Sequence, residues 1–154
     1  MQLIKEFKMY EKLSKYFAEV KNKTPSEVCN LIGGKVKLNN FANVCAVRMS
    51  YAFNKAGDKI PYIEGETVSG EGKKDWYIFR VRVFKKFLNG RNYNKISSDK
   101  QRKLSPFKNK KGIIVFDVNF KDATGHVDLF NGSFVEGKDY SSEEELKSIT
   151  LYEI

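Results

Sequence analysis

Two side chains in this sequence are best suited to carry chemistry, the thiol of Cys45 and the imidazole of His126. "NVCAVRMSYAFNKAG" sets Cys45 at the start of a helix-like stretch, where the helix terminus stabilises a thiolate. "TGHVDLFNGSFVEG" sets the chain's single histidine on an alternating, strand-like run. Cysteine hydrolases need a thiolate, an imidazole to pair with it and a polar group to orient the imidazole. The chemistry would then be acyl transfer, with attack by sulfur on a carbonyl and proton transfer through the ring. The competing readings are a cysteine that packs as a small hydrophobe and a strand histidine with a structural role.

A helix and a strand must position these groups. Cys45, Met49, Ala52, Phe53 and Ala56 recur at i, i+4, i+7, i+8 and i+11, one helical face turned to a core. Asn43 suits the cap of that helix and Gly57 its end. Upstream, over residues 7–20, Phe7, Tyr10, Leu13, Phe17 and Val20 keep helical spacing. In "TPSEVCNLIGG", Thr24 caps, Pro25 takes the first helical position, Glu27 completes a capping box, and Gly33 and Gly34 stop the helix. Cys29 lies inside it among Val28, Leu31 and Ile32 and reads as a packing residue.

Later segments favour strands. "DWYIFRVRVFKKFL" begins strand-like and turns helical around residues 83–88. "KGIIVFDVNF" is a continuous β-branched and aromatic run, as in a central strand. Asn131-Gly132 signals a tight hairpin turn, and "SITLYEI" supplies a last strand. Helices first and strands later predict an α+β class with an antiparallel sheet, residues 1–154 forming a single domain.

Composition bounds the rest. The chain has 154 residues, 41% apolar and 14% aromatic, enough for a real core. No stretch approaches the roughly 20 apolar residues of a membrane span. The opening "MQLIKEFKMYEKL" carries Lys5, Glu6 and Lys8 and lacks the apolar run of a cleaved secretory signal. One histidine and no CxxC pair speak against zinc. Cys29 and Cys45 are the only cysteines, and a bridge between them would consume the nucleophile. The net charge of +9, from 28 Lys+Arg against 19 Asp+Glu, permits an anionic partner such as a cell wall, lipid or nucleic acid. The dense groups "SSDKQRKLSPFKNKKG" and "RVRVFKKF" form no RNA-binding signature, and a solvated lysine-rich surface is the default.

"NVCAVRMSYAFNKAGDKIP" together with "KGIIVFDVNFKDATGHVDLFNGS" resembles the fourth family of type VI secretion amidase effectors, small papain-like, NlpC-type hydrolases. The match runs through Cys45, Arg48, Ser50, Gly57, Ile60 and Pro61, then Gly112, Gly125, His126, Leu129, Asn131 and Gly132. "WYIFRV" is similar to the family's Tyr-x-x-Arg-Val strand, and Phe130 stands where the family usually has tryptophan. The resemblance implies a papain-like fold with the catalytic Cys45 at a helix N-terminus packed on an antiparallel sheet. It implies an antibacterial amidase that cuts the γ-D-glutamyl–meso-diaminopimelate amide of peptidoglycan stem peptides and needs no cofactor or metal. The implied partners are the stem peptides, a cognate immunity protein and the type VI secretion machinery, with no nucleic acid and no membrane span. The implied route is synthesis in the cytoplasm without a signal peptide and action in the periplasm of target bacteria. Other readings are a papain-like transferase or protein deamidase, or a basic nucleic-acid-binding module.

For the site, the resemblance makes Cys45 the nucleophile and His126 the general base. Arg48, one turn beyond Cys45, suits a substrate carboxylate or a structural ion pair, and Asn43 a cap first and a substrate contact second. Gly125 suits a close pass of the strand against the cysteine helix. The family places an orienting aspartate about eleven residues after the histidine, but residue 137 is glycine. Asp139, two residues on, is the expected orienting group if the loop carries an insertion. Asp128 is the alternative: it shares the face of His126, and parallel projection of the two side chains disfavours an end-on bond.

Overall fold

The computed structural model describes residues 2–119 and 125–154. Four helices come first: α1 (Gln2–Phe17), α2 (Pro25–Ile32), α3 (Gly34–Asn39) and α4 (Cys45–Lys55). A two-stranded antiparallel ribbon follows, β1 (Thr67–Ser69) with β2 (Trp76–Ile78), and then α5 (Val81–Asn89). The chain ends in β3 (Asn94–Ser98), β4 (Lys111–Val118), β5 (Gly125–Asn131) and β6 (Leu146–Glu153). These last four form one antiparallel sheet in the order β3-β6-β4-β5, as the α+β expectation requires.

The apolar residues explain this layering. Ile113 and Val115 of β4, with Val127 and Leu129 of β5, face a cluster built from Leu13 and Phe17 of α1, Val47, Met49 and Phe53 of α4, and Phe84 of α5. Each such side chain, fully buried, contributes about 2 kcal/mol. Ile114 and Phe116 alternate to the other face and join Phe107, Phe130, Ile149 and Leu151 in a second cluster. β4 is therefore apolar on both faces, which is why its sequence runs without alternation. Phe120, at the end of the run that predicted this strand, lies outside the described residues. Phe130 packs edge-on against Phe107, so the position usually held by tryptophan in the family serves the second cluster.

Some local expectations hold in detail and others need correction. Thr24 and Glu27 form the reciprocal capping box, with Pro25 at the first helical position. Gly33 does end α2, at φ 74°, but the chain then starts α3, which carries no periodic apolar signal. The hairpin turn falls at Asn131, whose Oδ1 accepts the amides of Ser133 and Phe134. The returning segment pairs only through Phe130 and Val135. A Cβ on Gly125 would fall 2.3 Å from the Phe116 carbonyl oxygen, so the tightest approach at this glycine is to β4. Among the described residues no helix is long and apolar enough to cross a membrane.

Both cysteines are free thiols. Cys29 is 1% exposed in the first cluster, as its packing role requires. Cys29→Ala leaves a small cavity costing about 1 kcal/mol, and the melting temperature falls by about 3 °C with hydrolysis unchanged. A calorimetric scan beside an activity assay checks both halves.

Candidate active site

Cys45 is the first residue of α4 and is buried. Its N–H donates to Asn43 Oδ1 at 3.2 Å, and its thiol lies 3.0 Å from the same oxygen. Asn43 thus serves a helix-terminal amide from one residue before the formal cap position, Val44. Ser50 fixes the helix further along. Its Oγ accepts the Ile78 amide at 3.0 Å and donates to the Ala46 carbonyl at 2.9 Å, tying α4 to β2. The serine of the sequence motif is therefore a strut for the helix that carries Cys45.

β5 brings His126 and Asp128 to this terminus. The imidazole shares the cleft with the Cys45 thiol, which acts to raise the ring's pKa. Its Nε2 lies 2.7 Å from Asp128 Oδ2. A carboxylate there accepts the Nε2 proton, which leaves Nδ1 to face sulfur and to take its proton. Phe116 stacks near the ring, and Tyr140 lies 4.6 Å from it, centroid to centroid. Burial alone disfavours the charged ring, but the interactions with Asp128 and Cys45 outweigh it and push the His126 pKa up to about 9.

That value has a measurable consequence. It lies above the free value of 6.5, so the bound proton stabilises the fold fully below about pH 6.5, and the contribution is lost as pH rises through about 9. Catalysis that needs the imidazolium shares this limit. The alkaline limb of the kcat/KM profile is expected near pH 9, and Asp128→Asn should move it down toward about 6.5. A profile unchanged by that substitution would show that Asp128 does not set the histidine's proton affinity.

The geometry places Asp128, and not the expected Asp139, beside the His126 ring. Asp139 is exposed, and its carboxylate accepts the Ser141 amide at 2.7 Å. Asp128 is 1% exposed and holds the ring nitrogen. The objection to Asp128 was the parallel projection of side chains two apart on a strand. The structure shows that the carboxylate nevertheless reaches Nε2, while the backbone of the following loop supplies further donors. Residue 137, where the resemblance places an aspartate, lies against this same carboxylate. A Cβ on Gly137 would fall 2.3 Å from Asp128 Oδ2.

Among the described residues Arg48 forms no ion pair with a carboxylate, and its guanidinium is taken up by backbone carbonyls. Its Nε and Nη2 donate to the carbonyls of Val20 and Lys23, at 3.2 and 2.7 Å, bracing the segment after α1. It also lines a cleft of about 300 Å³ that holds Asn43, Cys45, His126 and Asp128. Lys21, Lys138 and Tyr140 line the same cleft, and no sequence motif singled them out. Three cations around one buried carboxylate make it a site for anionic groups. A larger cavity, about 500 Å³ between Pro61 and α5, holds neither cysteine nor histidine and is apart from this chemistry.

A helix-borne thiol paired to an imidazole on an antiparallel sheet makes this an α+β cysteine hydrolase in build. The sequence model of type VI secretion system amidase effector protein 4 matches residues 41–152, and the chain belongs to that family. No curated protein sequence matches the chain. Solved structures do. The effector Tae4 of Salmonella typhimurium, in complex with the immunity protein Tai4 of Enterobacter cloacae, superposes with a TM-score of 0.84 at 29% identity, covering 94% of this chain and 98% of that one. Tae4 of Enterobacter cloacae, in its complex with Tai4, gives 0.81 at 30% identity over 97% of each chain. A further crystal structure of the type VI effector Tae4 from Enterobacter cloacae gives 0.80 at 32% identity, covering 94% of this chain and 95% of that one.

Proposed function

We propose that the protein hydrolyses the γ-D-glutamyl–meso-diaminopimelate amide of peptidoglycan stem peptides, with Cys45 as nucleophile, His126 as general base and acid, and Asp128 as the group that orients His126. The supporting observation is the cleft itself. It joins the Cys45–His126–Asp128 chain to Lys21, Arg48 and Lys138, and both residues flanking that amide carry a carboxylate.

The geometry supports the following steps. The imidazole takes the thiol proton, and sulfur attacks the γ-carbonyl carbon. The substrate carbonyl oxygen displaces Asn43 Oδ1, which in the free protein lies close to both the Cys45 amide and the thiol. The freed N–H then holds the oxyanion, a contact of a kind worth about 3 kcal/mol. His126 returns its proton to the departing diaminopimelate amine, leaving a γ-glutamyl thioester. Water, deprotonated by the same ring, releases the D-glutamate carboxylate and restores the thiol.

As a toxin of this class the protein is made in the producing cell's cytoplasm, passes through the type VI machinery and acts in a rival's periplasm. A cognate immunity protein would protect the producer, as the solved effector complexes contain one. Incubation with purified muropeptides, with products read by mass spectrometry, tests the activity. The expected result is two fragments that sum to the substrate plus one water, parted at the γ-linked amide. Intact muropeptides, or amine-exchanged products in place of hydrolysis, would instead favour the deamidase or transferase reading.

A further inference from the structure

The carboxylate of Asp128 accepts four hydrogen bonds. Oδ1 takes the amides of Leu129 and Gly137, at 2.7 and 2.9 Å. Oδ2 takes the Lys138 amide at 2.9 Å and faces His126 Nε2. Two of the four donors thus come from residues 137 and 138, which also explains why β5 has no full partner strand after Asn131. The backbone amides there turn to a side chain.

Gly137 is exposed, so no packing demand selects a glycine there. Its φ lies outside the left-handed region, so backbone conformation does not select one either. What selects it is space. A Cβ at 137 would stand 2.3 Å from Oδ2 and 3.0 Å from both Cγ and Oδ1 of Asp128. The segment has little freedom to retreat. Glu136, its neighbour, accepts from Tyr10 Oη and, at 2.9 Å, from Ser14 Oγ, both on α1. The Glu136 amide donates to the Leu129 carbonyl at 2.8 Å. Burial first, then the bond to Glu136, raises the Tyr10 pKa, so the phenol stays protonated and keeps donating.

We infer that residues 136–138 form a positioning clamp for Asp128, in which Gly137 supplies the space its carboxylate occupies and Glu136 fixes that space to α1. The clamp acts through Asp128 on His126, and the inference rests on the hydrolase reading above for its effect on turnover. Gly137 is a positioning residue and touches no reacting atom. A methyl group there pushes the carboxylate from the imidazole, whereas the same methyl has nothing to displace once Asp128 is truncated.

The chain's single histidine gives a readout independent of activity, because its ring resonances in an NMR titration belong to His126 alone. In Gly137→Ala the midpoint of His126 should fall toward the free value. Turnover on stem peptides should drop about a hundredfold with KM within about twofold, as for a lost transition-state contact. In an Asp128→Ala background, adding Gly137→Ala should change neither quantity. Glu136→Ala, which frees the segment without adding a clash, should lower the midpoint in the same direction by less. A wild-type midpoint in folded Gly137→Ala, or equal losses with and without Asp128, would overturn the clamp. If Gly137→Ala does not fold, a wild-type midpoint in Glu136→Ala overturns it. Absence of hydrolysis by the wild-type protein, with the midpoint shifts intact, would instead overturn the activity and leave the clamp standing.

Discussion

Replacing Cys45 with alanine is expected to remove amide hydrolysis altogether while the protein still folds. The side chain loses only its sulfur, and the core loses little, because the apolar face of α4 is carried by Val47, Met49 and Phe53. The chemistry loses its nucleophile, and no nearby group replaces it: Cys29, the other thiol, is buried in the core and does not line the cleft. In cysteine and serine hydrolases, loss of the nucleophile leaves only the catalysis due to binding and oxyanion contacts, a drop of about a million-fold in turnover. The measurement is product formation from muropeptides beside a circular dichroism melt. Hydrolysis retained by Cys45→Ala and lost by Cys29→Ala would reverse the assignment. A parallel effect is expected in cells. The wild-type protein directed to the periplasm should lyse a susceptible bacterium, and the Cys45→Ala form should not.

Much of this frame was legible because local rules and burial agree. The α2 capping box, the apolar stripe of α4 and the unbroken apolar run of β4 each state their structure in residue types, and each is found. What was not legible depends on tertiary contacts. α3 is six residues long and is held by its neighbours, including a bond from the Gly34 amide to Glu71 at 3.1 Å. β3 has a largely exposed pattern and owes its existence to pairing with β6.

The site divides in the same way. Cys45 and His126 stand out by residue type, since a chain with one histidine offers no rival for the imidazole. Arg48 stood out too, but its partners are carbonyls of Val20 and Lys23, and a carbonyl has no signature in a sequence. Lys21, Lys138 and Tyr140 come from loops after α1 and β5 whose approach to α4 is set by the whole fold. The choice between Asp128 and Asp139 turned on which carboxylate the backbone of residues 137 and 138 would serve. Gly137 held the clue, because a residue without a side chain where a carboxylate was expected leaves room for a carboxylate from elsewhere.

Asp128→Asn should therefore cost far more than Asp139→Asn. The amide has the same shape as the carboxylate, but all four partners of Asp128 present donors to it, the imidazole by its Nε2 proton. An amide NH2 must face one of them. The least costly relief is a change of tautomer, in which Nε2 loses its hydrogen and accepts from the new amide. Nδ1 then carries the proton and no longer takes one from the thiol. By analogy with the serine-protease aspartate, turnover should fall about ten-thousand-fold while KM changes little. Asp139→Asn replaces an exposed acceptor that still caps the Ser141 amide through its remaining oxygen, and turnover should stay within about twofold. Steady-state kinetics of the two variants separate the residues. A large loss in Asp139→Asn with near-normal Asp128→Asn would return the orienting role to Asp139, and normal turnover in both would leave the imidazole to the thiol and the aromatic wall of Phe116 and Tyr140 alone.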